Sequence, residues 1–373
     1  MDSLILTEVV GGLGVITLNR PKALNALSLE MVRELTTVLS GWATDTEVLG
    51  VLMRGSGRFN EHGKPHGAVH FCAGGDIRFM HEAAVTGDLT IDDFFTEEYA
   101  LDYMIHTYPK PLVAWLEGIT MGGGMGLAQG AALRVVTESV RMAMPETRIG
   151  LFPDVAGGYF LSQCAGSIGE YLGVVGPNLH VTDALTLGLA DVHVQAASLP
   201  ALIEAFLHQP ASSSDELLLR VTQHVNAHGL TALPDATVTV HLEQINRHFS
   251  LHTMADIEAS LQADDSEWAH HVLQHMAGNS PLMMCVTLEQ IRRARCMSLA
   301  QVIKMERGMV RQCFYLRKGR DSETAEGVRA LVIDKDHQPR WNPSRLADVT
   351  AEAVEAFFES PWPMARHPLR DLN

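Results

Sequence analysis

Cysteine is scarce and poorly spaced for bridging or metal binding. Cys72, Cys164, Cys285, Cys296 and Cys313 are the five in a chain of 373 residues, with no CxxC pair among them. Such a set excludes a disulfide framework and a zinc ribbon, and it suits a reducing compartment. Positive charge is also short: 28 lysines and arginines face 44 aspartates and glutamates, for a formal net charge of −16. Nonspecific nucleic-acid binding is therefore not expected, and a polyanionic ligand would need local basic residues or backbone N–H groups. No apolar run reaches the roughly 18 residues of a membrane-spanning helix. The opening "MDSLILTEVVGGLGVITLNRP" lacks both the basic and apolar regions of a secretory signal and the arginine-rich look of a transit peptide. These absences predict a cytoplasmic protein without membrane attachment. No internal repeat or low-complexity tract is present.

What the chain does hold is globular, with 46% apolar and 19% charged residues. The opening segment reads as two short strands around a Gly11–Gly12 turn. "VLGVLMRGSG" (48–57), "KPLVAWLEGIT" (110–120) and "ALRVVTES" (132–139) read as buried strands. "LSLEMVRELTTVLSGWA" (27–43) has helical spacing, with Ser28 as its N-cap. Strands and helices in this order predict α/β architecture with crossover connections. From about residue 198 amphipathic helical patterns take over. The boundary is expected near residue 195, dividing a core carrying the active site (1–195) from a helical C-terminal region (196–373).

Three stretches carry chemistry. In "GITMGGGMGLAQG" (118–130) three glycines stand where a strand gives way to a helix. Glycines there admit a close backbone approach, and the first helical N–H groups lack internal partners. No Lys-Ser/Thr pair follows, so it is not a P-loop, and the first strand–helix unit lacks a dinucleotide fingerprint. "FCAGGDI" (71–77) offers a second N–H at Gly75. Two convergent donors suit a tetrahedral acyl intermediate, and the structural alternatives are tight helix packing for the triple glycine and a tight turn for "CAGGDI". "AMPETRIGLFPDVAGGYF" (143–160) places Glu146 and Asp154 among apolar residues and glycine. Buried carboxylates are costly without partners, so a catalytic pair competes here with two structural salt bridges.

The ordered set "RPKALNAL" (20–27), "FCAGGDI", "GITMGGGMGLA" and "PETRIGLFPD" resembles the crotonase (enoyl-CoA hydratase/isomerase) superfamily. "EEYALDYMI" (97–105) and "EGVRALVIDKDHQPRWNP" (326–343) fit its branch that hydrolyses short 3-hydroxyacyl-CoA thioesters. The resemblance covers almost the whole chain and implies an α/β crotonase-like (ββα)n spiral core with a mostly helical C-terminal part. By position it puts the oxyanion hole on the backbone N–H groups of Gly75 and Gly123. The catalytic acids fall on Glu146 and Asp154, and Glu98 falls on a substrate-pocket position. Lys22, Ala23, Leu24, Ala73, Asp76 and Arg78 fall in the segments that hold CoA. No metal is implied, and no cofactor beyond the CoA that is part of the substrate. The partners implied are an acyl-CoA and further copies of the chain, in an unspecified number although trimers and hexamers are common in the superfamily, with no nucleic acid and no membrane.

The resemblance also separates reactions. Hydratases of the superfamily carry a glutamate three residues after the second oxyanion glycine, where this chain has Gly126. Its second acid is Asp154 instead, which moves water chemistry from a double bond to the thioester carbonyl. The substrate expected is 3-hydroxyisobutyryl-CoA, as in valine breakdown, or the smaller 3-hydroxypropionyl-CoA. Glu146 either attacks directly, giving a mixed anhydride, or activates water, with Asp154 orienting and balancing protons. The competing readings are an enoyl-CoA hydratase or isomerase and a noncatalytic acyl-CoA-binding scaffold. A scaffold needs none of Gly75, Gly123, Glu146 and Asp154.

Other signals are read as structural. His62, His66 and His70 in "HGKPHGAVH" are expected on an exposed loop insertion, since glycines and Pro65 oppose a helix that would align them. Cys72 is expected to pack as a small residue, and Met121, Met142 and Met144 to line a pocket or core. The basic stretch "RQCFYLRKGR" (311–320) is either an attractor for CoA phosphates or a solvated helix end.

Overall fold

Alternating apolar residues in the N-terminal segment build a hairpin, Ile5–Val10 against Leu13–Leu18, antiparallel around Gly11 and Gly12. Both glycines have positive φ, +55° and +89°, which the turn requires and a side chain would resist. The computed structural model describes residues 3–59 and 65–373. Strands Gly50–Gly55, Leu112–Leu116, Leu133–Thr137 and Val192–Val194 then add in parallel, in that order, to make six. The α/β class and the strand runs agree with the expectation from the sequence.

Alternation along these strands sorts their side chains into two faces. Val15, Leu52, Trp115 and Val135 share a core with Leu202 and Phe206 of helix Leu199–His208 and Val221 of helix Ser214–Ala227. Gly14 points the other way. A Cβ there would lie 2.6 Å from the Trp42 ring on helix Leu29–Thr44, so that helix covers the opposite face. Ser28 caps it, accepting from Met31 N–H at 3.3 Å.

These elements belong to one unit, Met1–Gly75, Met104–Met142 and Asn178–Thr239. Asp76–Tyr103, Ala143–Pro177 and Val240–Asn373 form a second, mostly helical one. Within it, helix Ile168–Val175 is buried along its whole length. Its Gly173 allows close packing, because a Cβ would stand 2.7 Å from Ile291 on helix Pro281–Ala294. Helix Leu299–Tyr315 starts in a capping box, Ser298 with Gln301. It is fixed to helix Thr90–His106 through Asp92, which accepts from Arg307 at 2.7 Å, Arg311 at 2.8 Å and Tyr315 at 2.7 Å. Among the described residues, no helix is long and apolar enough to cross a membrane.

Candidate active site

In the sheet-bearing unit, residues 72–75 run between the 24–27 segment and strand Ile119–Met121. Ala73 N–H donates to Leu24 O at 3.1 Å, and Leu27 N–H to Gly74 O at 2.8 Å. On the other side Cys72 N–H donates to Ile119 O, and Met121 N–H to Cys72 O, both at 3.0 Å. These bonds bring the two glycine loops together. A Cβ on Gly74 (φ +103°) would lie 3.6 Å from Gly123 N, and one on Gly124 would lie 2.3 Å from Cys72 O. The close approach therefore excludes a side chain at Gly124, and the positive φ favours glycine at Gly74. Helix Gly123–Gln129 starts here, and Gly122 turns into it with φ +49°. Among the described residues, the N–H groups of Gly75 and Gly123 meet no backbone acceptor. Gly126 lies buried in the same helix, so no acid occupies that position.

The acids lie in the helical unit. Glu146 opens a short 3-10 turn that ends at Gly150, whose φ of +70° is left-handed. It is 5% exposed, and its Oε2 is buried without a hydrogen-bond partner. Burial, then the charge of Asp154, pushes its pKa well above the ordinary range, against a backbone hydrogen bond that favours the anion. Asp154 is equally buried, and its Oδ2 accepts from Tyr99 O–H at 2.7 Å. Burial raises it to about 6, with the Tyr99 bond and a backbone bond pulling it down.

Glu98 sits beside Tyr99 on helix Thr90–His106, 2% exposed and with Oε1 unpartnered. Asp102 lies one helical turn further on, fully buried, with neither carboxyl oxygen partnered. Burial, then neighbouring carboxylates, raises both acids well above their usual values. The structure thus brings Glu98, Glu146 and Asp154 into one electrostatically coupled group and adds Asp102, Tyr99 and Glu306 to it. Asp102 was legible in principle, since an acid four residues after Glu98 shares its helix face. Tyr99 and Glu306 had no sequence signal.

The other expected residues fall as follows. Lys22 and Ala23 lie in the 3-10 turn Pro21–Ala23, and Leu24 follows with φ +53°. Asp76 caps helix Ile77–Thr86, accepting from Phe79 N–H at 3.3 Å. Arg78 donates to Val332 O at 3.3 Å. Cys72 is buried, as expected, and so are Met142 and Met144. His62 lies outside the described residues. His70 lies in a loop, as expected, but corrects the expectation of exposure: it is half-buried, and its Nδ1 accepts from Ile119 N–H at 3.1 Å, so the ring is a built-in acceptor. In the basic stretch Arg311 pairs with Asp92 at 2.8 Å and Arg317 with Glu323 at 3.5 Å, which spends part of its charge. Among the described residues, no group of three His, Cys, Asp or Glu could hold a metal ion.

This combination of fold and site defines a class: the chain belongs to the enoyl-CoA hydratase/isomerase family, whose model matches residues 13–358. Among curated proteins it is similar to "3-hydroxyisobutyryl-CoA hydrolase, mitochondrial" of Gallus gallus, 38% identical over 95% of this chain and 88% of that one. The Xenopus laevis protein of the same name is 40% identical over 96% of this chain and 89% of its own length. Two solved structures share the fold nearly end to end. A carnitinyl-CoA dehydratase from Mycobacterium thermoresistibile has a TM-score of 0.84 at 32% identity, covering 97% of this chain and 98% of its own. An enoyl-CoA hydratase from Rhodobacter sphaeroides 2.4.1 has a TM-score of 0.81 at 34% identity, covering 96% and 98%.

Proposed function

We propose that the protein hydrolyses the thioester of 3-hydroxyisobutyryl-CoA, or of the smaller 3-hydroxypropionyl-CoA, to the free hydroxy acid and CoA. The observation that carries this reading is the buried pair Glu146 and Asp154, in a chain with buried Gly126 at the hydratases' first glutamate position. The names of the curated relatives support it. The N–H groups of Gly75 and Gly123 would hold the thioester oxygen as negative charge develops on it.

By one route Glu146 would then attack the carbonyl carbon, expelling CoA thiolate and leaving a mixed anhydride that water hydrolyses to the free acid and the Glu146 carboxylate. By the other it would take a proton from a water that adds to that carbon before the C–S bond breaks and CoA thiolate leaves. A raised pKa suits either role: less of the carboxylate is ionised, but the ionised fraction is a stronger base. Asp154 would orient that group or the water and balance the proton needed by the thiolate. Glu98 contributes to the substrate pocket, and Lys22, Ala23, Leu24, Ala73, Asp76 and Arg78 to the CoA contacts. Self-association and a cytoplasmic location belong to the same proposal.

A panel of acyl-CoA esters, read by free-thiol release, tests it. Fastest release is expected from the 3-hydroxyisobutyryl and 3-hydroxypropionyl esters, with little hydration of crotonyl-CoA. The similarity to a carnitinyl-CoA dehydratase and an enoyl-CoA hydratase of known structure makes that comparison necessary. Crotonyl-CoA hydration comparable to thioester cleavage would establish the hydratase reading instead.

A further inference from the structure

Asp154 is followed by Val155 and Ala156, both left-handed, with φ +53° and +65°. Side-chain-bearing residues rarely adopt this conformation, and two in succession persist only where surrounding contacts hold them. The contacts here come from two distant helices. Glu306, fully buried on helix Leu299–Tyr315, accepts Ala156 N–H on Oε2 and Gly158 N–H on Oε1, both at 2.8 Å. Gln290 on helix Pro281–Ala294 donates from Nε2 to Glu306 Oε1 at 2.9 Å and to Pro153 O at 2.7 Å. The backbone is thus gripped immediately before Asp154 and again two and four residues after it. Even Gly158 is part of the fit, since a Cβ there would lie 3.0 Å from Glu306 Oε1.

From this geometry we infer that Glu306, braced by Gln290, is a positioning residue: its two carboxyl oxygens clamp the strained turn that aims Asp154. The assignment rests on the proposed thioester hydrolysis for its kinetic consequence, but the clamp itself is a statement about two N–H groups. Glu306 is anchored for this task, because the next residue, Arg307, is held by Asp92 and by Thr96 Oγ1 at 2.9 Å. Glu306 touches Asp154's backbone neighbours, so its effect on the reaction passes through the carboxylate it places.

Glu306→Gln keeps the volume but leaves one acceptor oxygen where two are needed, so one N–H must lose its partner. Hydrogen–deuterium exchange of peptides covering residues 152–160 in the full chain reads this directly. The wild type should be protected there, and Glu306→Gln should exchange at least about tenfold faster. Its kcat per CoA-binding site should fall roughly 10- to 100-fold, with KM and CoA affinity within about twofold, as misplacement of a reacting group predicts.

Unprotected amides in the wild type, or exchange unchanged by the substitution, would overturn the clamp. Faster exchange with unchanged kcat would overturn the positioning role. So would a rate that falls only in proportion to the fraction of protein still binding CoA. If Glu306→Gln does not fold, Glu306→Asp keeps both oxygens one methylene shorter and is expected to show the same changes in smaller measure. A wild type without thioesterase activity would refute the proposed function, while the exchange comparison would still decide the clamp.

Discussion

Tyr99→Phe is the cleanest perturbation of the paired acids. It removes one oxygen, the donor to Asp154 Oδ2 at 2.7 Å, and leaves the ring in its edge-on contact with Phe95 at 6.0 Å. A hydrogen bond to an ionised group contributes about 1.5–3 kcal/mol, and one pKa unit corresponds to about 1.4 kcal/mol. Losing the bond should therefore raise Asp154 by about 1–2 units. From its present position of about 6, Asp154 moves toward roughly 7 to 8. The sign follows from the bond: Tyr99 favours the carboxylate, so its removal favours the acid.

The assay is the pH dependence of kcat/KM for 3-hydroxyisobutyryl-CoA, followed by thiol release. Because the two acids titrate together, the profile reports the pair, and the limb dominated by Asp154 should move to higher pH. This holds whether the reaction needs that group charged or neutral. An unchanged midpoint, or one displaced to lower pH, would refute the reasoning.

Two further outcomes are expected. Asp183 is fully buried and accepts from the N–H groups of Thr237 at 3.0 Å, Val238 at 3.1 Å and Thr239 at 2.8 Å, and from both threonine hydroxyls at 2.9 Å. Asp183→Ala strands these donors and should cost about 3 kcal/mol in denaturant melts at neutral pH. The hydrogen bonds lower the folded-state pKa of Asp183, so its contribution is present above the unfolded carboxylate value and is lost as pH falls through the folded one. The penalty should accordingly shrink in acid, and a penalty that grows there would contradict the assignment. Chelator should leave thiol release unchanged, and activity lost to chelator and restored by zinc or manganese would show a metal requirement.

The elements legible in the sequence are those whose causes are local. Ser28 announces its helix because capping needs only a side-chain oxygen and a nearby N–H. The strands show as apolar runs because both faces of the sheet are covered. Glu146 and Asp154 stood out because acids are expensive among apolar residues. The missed features depend on distance or on strain. Nothing near Glu306 says that it reaches residues 150 positions earlier, as its bond to Ala156 does. Val155 and Ala156 carry no left-handed signal, since only glycine or asparagine would have advertised one. The partial burial of His70 is not legible locally, because its company of glycine and histidine suggests exposure, whereas an N–H from Ile119 ties the ring to a distant strand.

The central claim is that Glu146 and Asp154 together perform thioester hydrolysis. Glu146→Gln keeps shape and removes basicity, and its rate should fall roughly 10²-fold or more. Asp154→Asn should also cut turnover strongly, and the double variant should be little worse than the poorer single one, because groups acting as a unit are not additive. CoA-ester affinity should survive in all three. Steady-state rates and product affinity across this set test the claim most directly. Near-normal turnover in Glu146→Gln would contradict it.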